Sequence, residues 1–75
     1  MGTEQIKSLI QAGFPGAHVE VDGDGRHFNA IVVSHLFSGK SMLQQHQMVY
    51  KSLGGRMGTE IHALSIKTYM PDQWK

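Results

Sequence analysis

Seven residues near the middle of the chain, Phe28-Asn29-Ala30-Ile31-Val32-Val33-Ser34, are apolar at both parities of an extended strand. Phe28, Ala30 and Val32 fall on one side and Ile31 and Val33 on the other. A strand apolar on both faces belongs inside a sheet, so this run predicts a central strand. The preceding segment supplies a neighbour. Ala17 to Asp22 alternates, with Val19 and Val21 inward and His18, Glu20 and Asp22 outward. Asp22-Gly23-Asp24-Gly25-Arg26 is then dense in turn residues, so the two runs read as a hairpin with His27 at its mouth. A third strand is expected over Glu60 to Tyr69. At period two it places His62, Leu64, Ile66 and Thr68 on one side and Ile61, Ala63, Ser65, Lys67 and Tyr69 on the other. One imidazole therefore opens an apolar row, either as a packed residue or as a ligand on a stiff support.

Helical spacing fills the gaps between strands. Ile6, Leu9 and Ile10 sit at i, i+3 and i+4, with Thr3 placed to cap and Gly13 and Pro15 placed to stop the helix. Ser41 with Gln44 fits a capping box. The residues that follow, Met42, Leu43, His46, Val49, Tyr50 and Leu53, form one stripe about a third of the circumference wide. Gly54-Gly55-Arg56-Met57-Gly58 breaks that helix and leaves room for one loose turn, and Pro71 opens a final helical turn ending near Trp74. A strand, a helical crossover and a second strand make a parallel unit. The expected architecture is a single α+β domain over residues 1–75, in the order α-β-β-α-(α)-β-α, with a three-stranded mixed sheet.

Composition narrows the chemistry. Hydrophobic residues make up 40% of the 75 and charged residues 17%, which excludes the disordered and membrane classes. No apolar run approaches membrane-spanning length and no secretory leader is evident, so a cytoplasmic location is expected. There is no cysteine, so a disulfide or thiolate site cannot come from this chain. The formal net charge is +1, little for a protein whose affinity would rest on neutralising phosphates. No nucleophile and base, carboxylate pair or cofactor loop argues for an enzyme.

Five histidines carry the metal-ligating potential. None forms a His-Glu-x-x-His pattern. His18 reads as a solvated strand residue, His35 as part of a connector, and His46 as a packed helix residue with one ring nitrogen bonded. His27 and His62 differ, because parallel pairing of the second and third strands puts both strand starts at one end of the sheet. A second motif, Gly55-Arg56-Met57-Gly58, matches the Gly-x-x-Gly loop of nucleic-acid-binding KH domains. In those domains the loop joins two full helices, whereas here a strand is expected two residues later. A plain helix stop is the preferred reading of these residues.

Three blocks then carry a family resemblance. They are Phe28 to Ser41, Gln45-His46-Gln47-Met48-Val49-Tyr50 and Ile61 to Tyr69, followed by Pro71-Asp72-Gln73-Trp74. Together they resemble the BolA family across nearly the whole chain, and Gly23 to Phe28 is most similar to its short bacterial IbaG-like branch. The resemblance implies a type II KH-like domain that partners a monothiol glutaredoxin in iron-sulfur cluster trafficking or in iron and stress regulation. It further implies that His62 is a metal ligand of a 2Fe-2S cluster shared with the glutaredoxin and glutathione. A cysteine or histidine of the hairpin loop supplies a second contact in that family, and His27 is the histidine this loop offers. Free, such a domain is expected to be a monomer or weak homodimer. Some members are transcription regulators that touch DNA, and for that alternative the candidate contacts are Gly55, Arg56, Gly58 and Lys67.

Overall fold

The computed structural model describes residues 2–56, 61 and 63–74. Three strands, β1 (His18–Gly23), β2 (His27–Val33) and β3 (Ala63–Tyr69), form one sheet in the order β1-β2-β3. β1 runs antiparallel to β2, and β2 runs parallel to β3 in a register from His27 opposite Ala63 to Val33 opposite Tyr69. The strand apolar at both parities is thus the central one. Two helices, α1 (Thr3–Gly13) and α2 (Met42–Ser52), join 3-10 turns at His35–Phe37, Gly54–Arg56 and Pro71–Gln73 to complete the expected α+β order.

Both helices pack on the face presented by Phe28, Ala30 and Val32. α1 contributes Ile6 and Ile10 to the core and its C-cap residue Phe14 joins them, while α2 contributes Val49 and its C-cap residue Leu53 follows, all essentially free of solvent. The helices approach closely, since a Cβ placed on Gly13 would lie 2.7 Å from Ser52 Cβ. Phe37, carried by the turn after β2, closes one end of this core with its ring centroid 5.2 Å from that of Phe14.

The opposite face of the sheet is mostly wet. Its buried member is Val33, and the register explains why: His18, Val33 and Tyr69 stand in one row across the three strands. The Pro71–Gln73 turn brings Trp74 back over that row, with ring centroids 5.6 Å from His18 and 5.3 Å from Tyr69. The indole thus packs against the two rings that flank Val33 in that row.

Four details depart from the sequence pattern. Ser34 is not a strand residue; its hydroxyl accepts from the Leu36 amide and caps the following turn. Gly2, not Thr3, precedes the first helix, because the Gln5 side chain reaches back to accept from the Gly2 amide at 2.8 Å. Ile61 is fully buried in the core although alternation placed it on the wet side. It makes an isolated bridge ahead of β3, and strand alternation starts only at Ala63. The α2 stripe is also narrower than its pattern. Val49 and Leu53 are buried, while Met42, Leu43 and Tyr50 are exposed, because the helix meets the core through one edge of its apolar arc.

These burial differences set opposite costs for one chemical change. Leu53→Ala is expected to lose about 2 to 5 kcal/mol, the range for emptying a packed leucine site. Leu43→Ala should change stability by no more than about 0.5 kcal/mol. Chemical denaturation of the two variants measures both, and equal losses would contradict this packing.

Candidate functional site

The hairpin loop between β1 and β2 is built around Asp24. One carboxylate oxygen accepts from the amides of Arg26 and His27, both at 2.9 Å, while the Asp24 amide donates to the His27 carbonyl at 3.2 Å. These bonds replace ladder pairing at the turn and fix the backbone from which the His27 side chain leaves. The amide of His27 first, and that of Arg26 second, hold the Asp24 carboxyl below the usual carboxylate range. Gly23 has a steric role here. A Cβ at this position would collide with the His27 carbonyl oxygen and lie 2.7 Å from Phe28 Cδ1.

His27 is the first residue of β2, and its side chain is 77% exposed. Its Nδ1 lies 3.9 Å from the free carboxylate oxygen of Asp24, an ion-pair distance and too long for a hydrogen bond. Among the described residues no hydrogen bond engages Nε2. The ring is thus available to an incoming electrophile or metal, with a carboxylate on its other side of the kind that orients metal-bound imidazoles. Across the sheet, His27 pairs with Ala63, the residue that follows His62 in the chain. His62 itself lies outside the described residues, as does Gly58. Among the described residues no three histidine, aspartate or glutamate side chains converge.

The remaining candidates are dispersed. Gly55 and Arg56 belong to the 3-10 turn after α2, and the continuation of the Gly-x-x-Gly motif is not described. Lys67 is exposed on β3 and lines, with Met42, His46 and Thr68, a cavity of about 370 Å³ between α2 and β3. His18 is exposed, its Nε2 lying 2.6 Å from a Glu20 carboxylate oxygen. His35 is exposed in the turn after β2. His46 is half-buried on α2, and its Nε2 is enclosed with no partner among the described residues. The neighbouring Thr68 hydroxyl is taken by the Gln45 side-chain oxygen. Asp24 is the residue of this site that sequence reasoning passed over. Its signal was visible as an aspartate between two glycines, the composition of a side-chain-capped turn.

A hairpin that presents an exposed imidazole at the start of the central strand of a three-stranded mixed sheet, with two helices on one face, defines a small α+β domain with a polar loop end. The chain belongs to the BolA family: residues 8–73 match the family described as BolA-like protein. It is 39% identical over 75 residues to the acid stress protein IbaG of Escherichia coli, covering 99% of this chain and 89% of that protein. It is 30% identical over 82 residues to the DNA-binding transcriptional regulator BolA of the same organism, covering 96% of this chain and 78% of that one. The solved structure of a BolA homologue from Coxiella burnetii superposes with a TM-score of 0.88 at 43% identity, covering 99% and 96% of the two chains.

The loop can be tested directly. Asp24→Ala should lower the hydrogen-exchange protection of the Arg26 and His27 amides several-fold while leaving Val32 unchanged. Because the folded-state value of this carboxyl lies below its unfolded value, its contribution is present at neutral pH. It should fade as acid protonates the group, with the same pattern of lost protection in the unsubstituted protein. Unchanged protection at both amides would show that Asp24 does not hold the loop.

Proposed function

We propose that this chain is an adaptor that joins a monothiol glutaredoxin to bind or pass on a 2Fe-2S cluster, supplying imidazole ligands from His62 and His27. The observation that carries the reading is the β2–β3 register. It sets exposed His27 opposite Ala63, so the hairpin loop and the chain segment bearing His62 meet at one end of the sheet. Family membership supports the same reading.

The donor set suits such a cargo. A two-iron, two-sulfide cluster needs four protein or thiol ligands, and two imidazoles on one iron are a known arrangement. This chain has histidines and no cysteine, so thiolates would come from the glutaredoxin cysteine and from glutathione. His27 would bring an exposed ring on a backbone fixed by Asp24, a donor held ready without closing the site to a partner. Neutral imidazole is the binding form, so protons compete with iron.

Mixing the protein with a cluster-loaded monothiol glutaredoxin should change the visible absorption and circular dichroism of the cluster. His62→Ala should abolish the change and His27→Ala should blunt it. The complex should weaken as pH falls through the range in which imidazoles protonate, about 6.5 for the free side chain. Unchanged spectra at high protein excess would overturn the reading.

A second reading, a nucleic-acid-binding regulator, is favoured by the 30% identity to a DNA-binding transcriptional regulator and by exposed Lys67. Phosphate-driven binding predicts an affinity for duplex DNA that falls steeply between low and moderate salt. Binding without a salt slope would leave this reading without its physical basis.

A further inference from the structure

The cluster reading uses the loop end of the molecule and leaves the outward face of α2 unassigned. This face is unusual in two independent respects. The four large hydrophobic residues that stand exposed among the described residues, Leu36, Met42, Leu43 and Tyr50, all belong to α2 or to the turn leading into it. Leu43 is 67% exposed and Met42 61%, far above what helix packing on a core would leave. Leu43 and Tyr50 are seven residues apart and share one side of the helix, with Gln47 between them. Second, residues 25–59 contain no aspartate or glutamate, whereas Arg26, Lys40, Lys51 and Arg56 all fall there.

Two lysines run along one side of the apolar ridge, and a third stands across the β3 edge, based on the far face of the sheet. Lys40 and Lys51, with Gln44, Gln47 and Met48, line a shallow cavity of about 250 Å³ along one side of α2. On the other side Lys67 shares the cavity beneath Met42. An apolar ridge between two cationic margins, with no carboxylate of its own, is the complement of a segment carrying apolar anchors bordered by carboxylates.

We infer that the outward face of α2 docks an acidic amphipathic segment of a partner protein, its apolar side chains seated on Met42, Leu43 and Tyr50 and its carboxylates facing Lys40, Lys51 and Lys67. The charge pattern decides among occupants. Two copies meeting through this face about a two-fold axis would bring lysines against lysines, a repulsive pairing. A phosphate backbone would be met by the cations but would press its charges onto an aliphatic ridge. At the N-terminal end of this surface Met42 lies beside Thr68, the register partner of Val32, roughly 16 Å along the strand from His27. The face can therefore be filled while the loop end is engaged, and this proposal stands apart from the cluster reading.

The test is a titration of the labelled protein, followed by amide chemical shifts, with a synthetic 18-residue helical peptide that carries leucines on one face and glutamates along both margins. Shifts are expected over Leu36 to Lys51, with binding weakened by added salt. The double variant Leu43→Ala, Tyr50→Ala and the charge reversal Lys40→Glu, Lys51→Glu should each lower affinity about tenfold or more, the scale of interface anchor residues. Unchanged denaturation midpoints would show that both variants fold. Equal affinity for a peptide with lysine in place of each glutamate, or no shift on α2 at millimolar acidic peptide, overturns the proposal. So does a preference of this face for duplex DNA, for phosphatidylglycerol vesicles, or for a second copy of the chain seen as concentration-dependent sedimentation.

Discussion

The parallel pairing of β2 with β3 is the constraint on which the rest of the molecule depends. A hairpin can join antiparallel neighbours through a few residues, but a parallel neighbour must be reached by a crossover that returns the chain to the starting end of the sheet. α2 is that crossover, which is why it lies on the sheet and why Val49 and Leu53 enter the same core as Phe28 and Val32. The same return brings the start of β3 beside the start of β2, and so His27 beside Ala63. Core and candidate site are therefore consequences of one topological choice.

The hairpin contributes the complementary half. A tight connection keeps His27 at the strand end only if the loop has a fixed shape, and a three-residue polar loop, residues 24–26, has little apolar surface with which to hold one. Asp24 supplies the shape through two amides, and Gly23 allows the close approach of the His27 carbonyl and the Phe28 ring. Phe28 is nearly buried, so the residue after the exposed imidazole is anchored in the core. Its neighbour can then be solvent-facing without being loosely attached, the combination a shared ligand site needs.

Much of this was legible from residue type and spacing. The two-sided apolar run announced a central strand, Val19 announced the inner face of β1, and Ser41 with Gln44 announced the start of α2, where the reciprocal bonds are 3.2 and 2.9 Å. What escaped the pattern depended on tertiary geometry. Periodicity finds an apolar stripe but not how much of it the fold covers, so Leu43 and Val49 looked alike although one is mostly exposed and the other fully buried. Alternation was extrapolated to Ile61, ahead of the regular strand, and the pleat does not reach it. The packing of Trp74 on His18 joins residues far apart in sequence through a terminal turn, which no local pattern encodes. As for the candidate site, position singled out both His27 at the loop mouth and His62 at the opening of the third strand, whereas the ligand role proposed for His62 rests on family resemblance.

The exposed side of α2 and the enclosed Nε2 of His46 point to a common feature of the crossover helix. Its inner edge is held by Val49 and Leu53 near the C-terminal end, while the first turns meet β3 through polar or yielding groups: the Thr68 hydroxyl on Gln45, the thioether of Met42 at 3.8 Å from that hydroxyl, and an imidazole with an unpaired nitrogen. Such contacts are directional, and with the Ser41–Gln44 capping box they position the first turns of the helix as aliphatic packing positions the last. The half held by hydrogen bonds is the half that carries Met42 and Leu43 at its surface. A protein segment arriving there would meet apolar side chains that the core does not use, while the fully packed half keeps the crossover, and with it the β2–β3 register, in place.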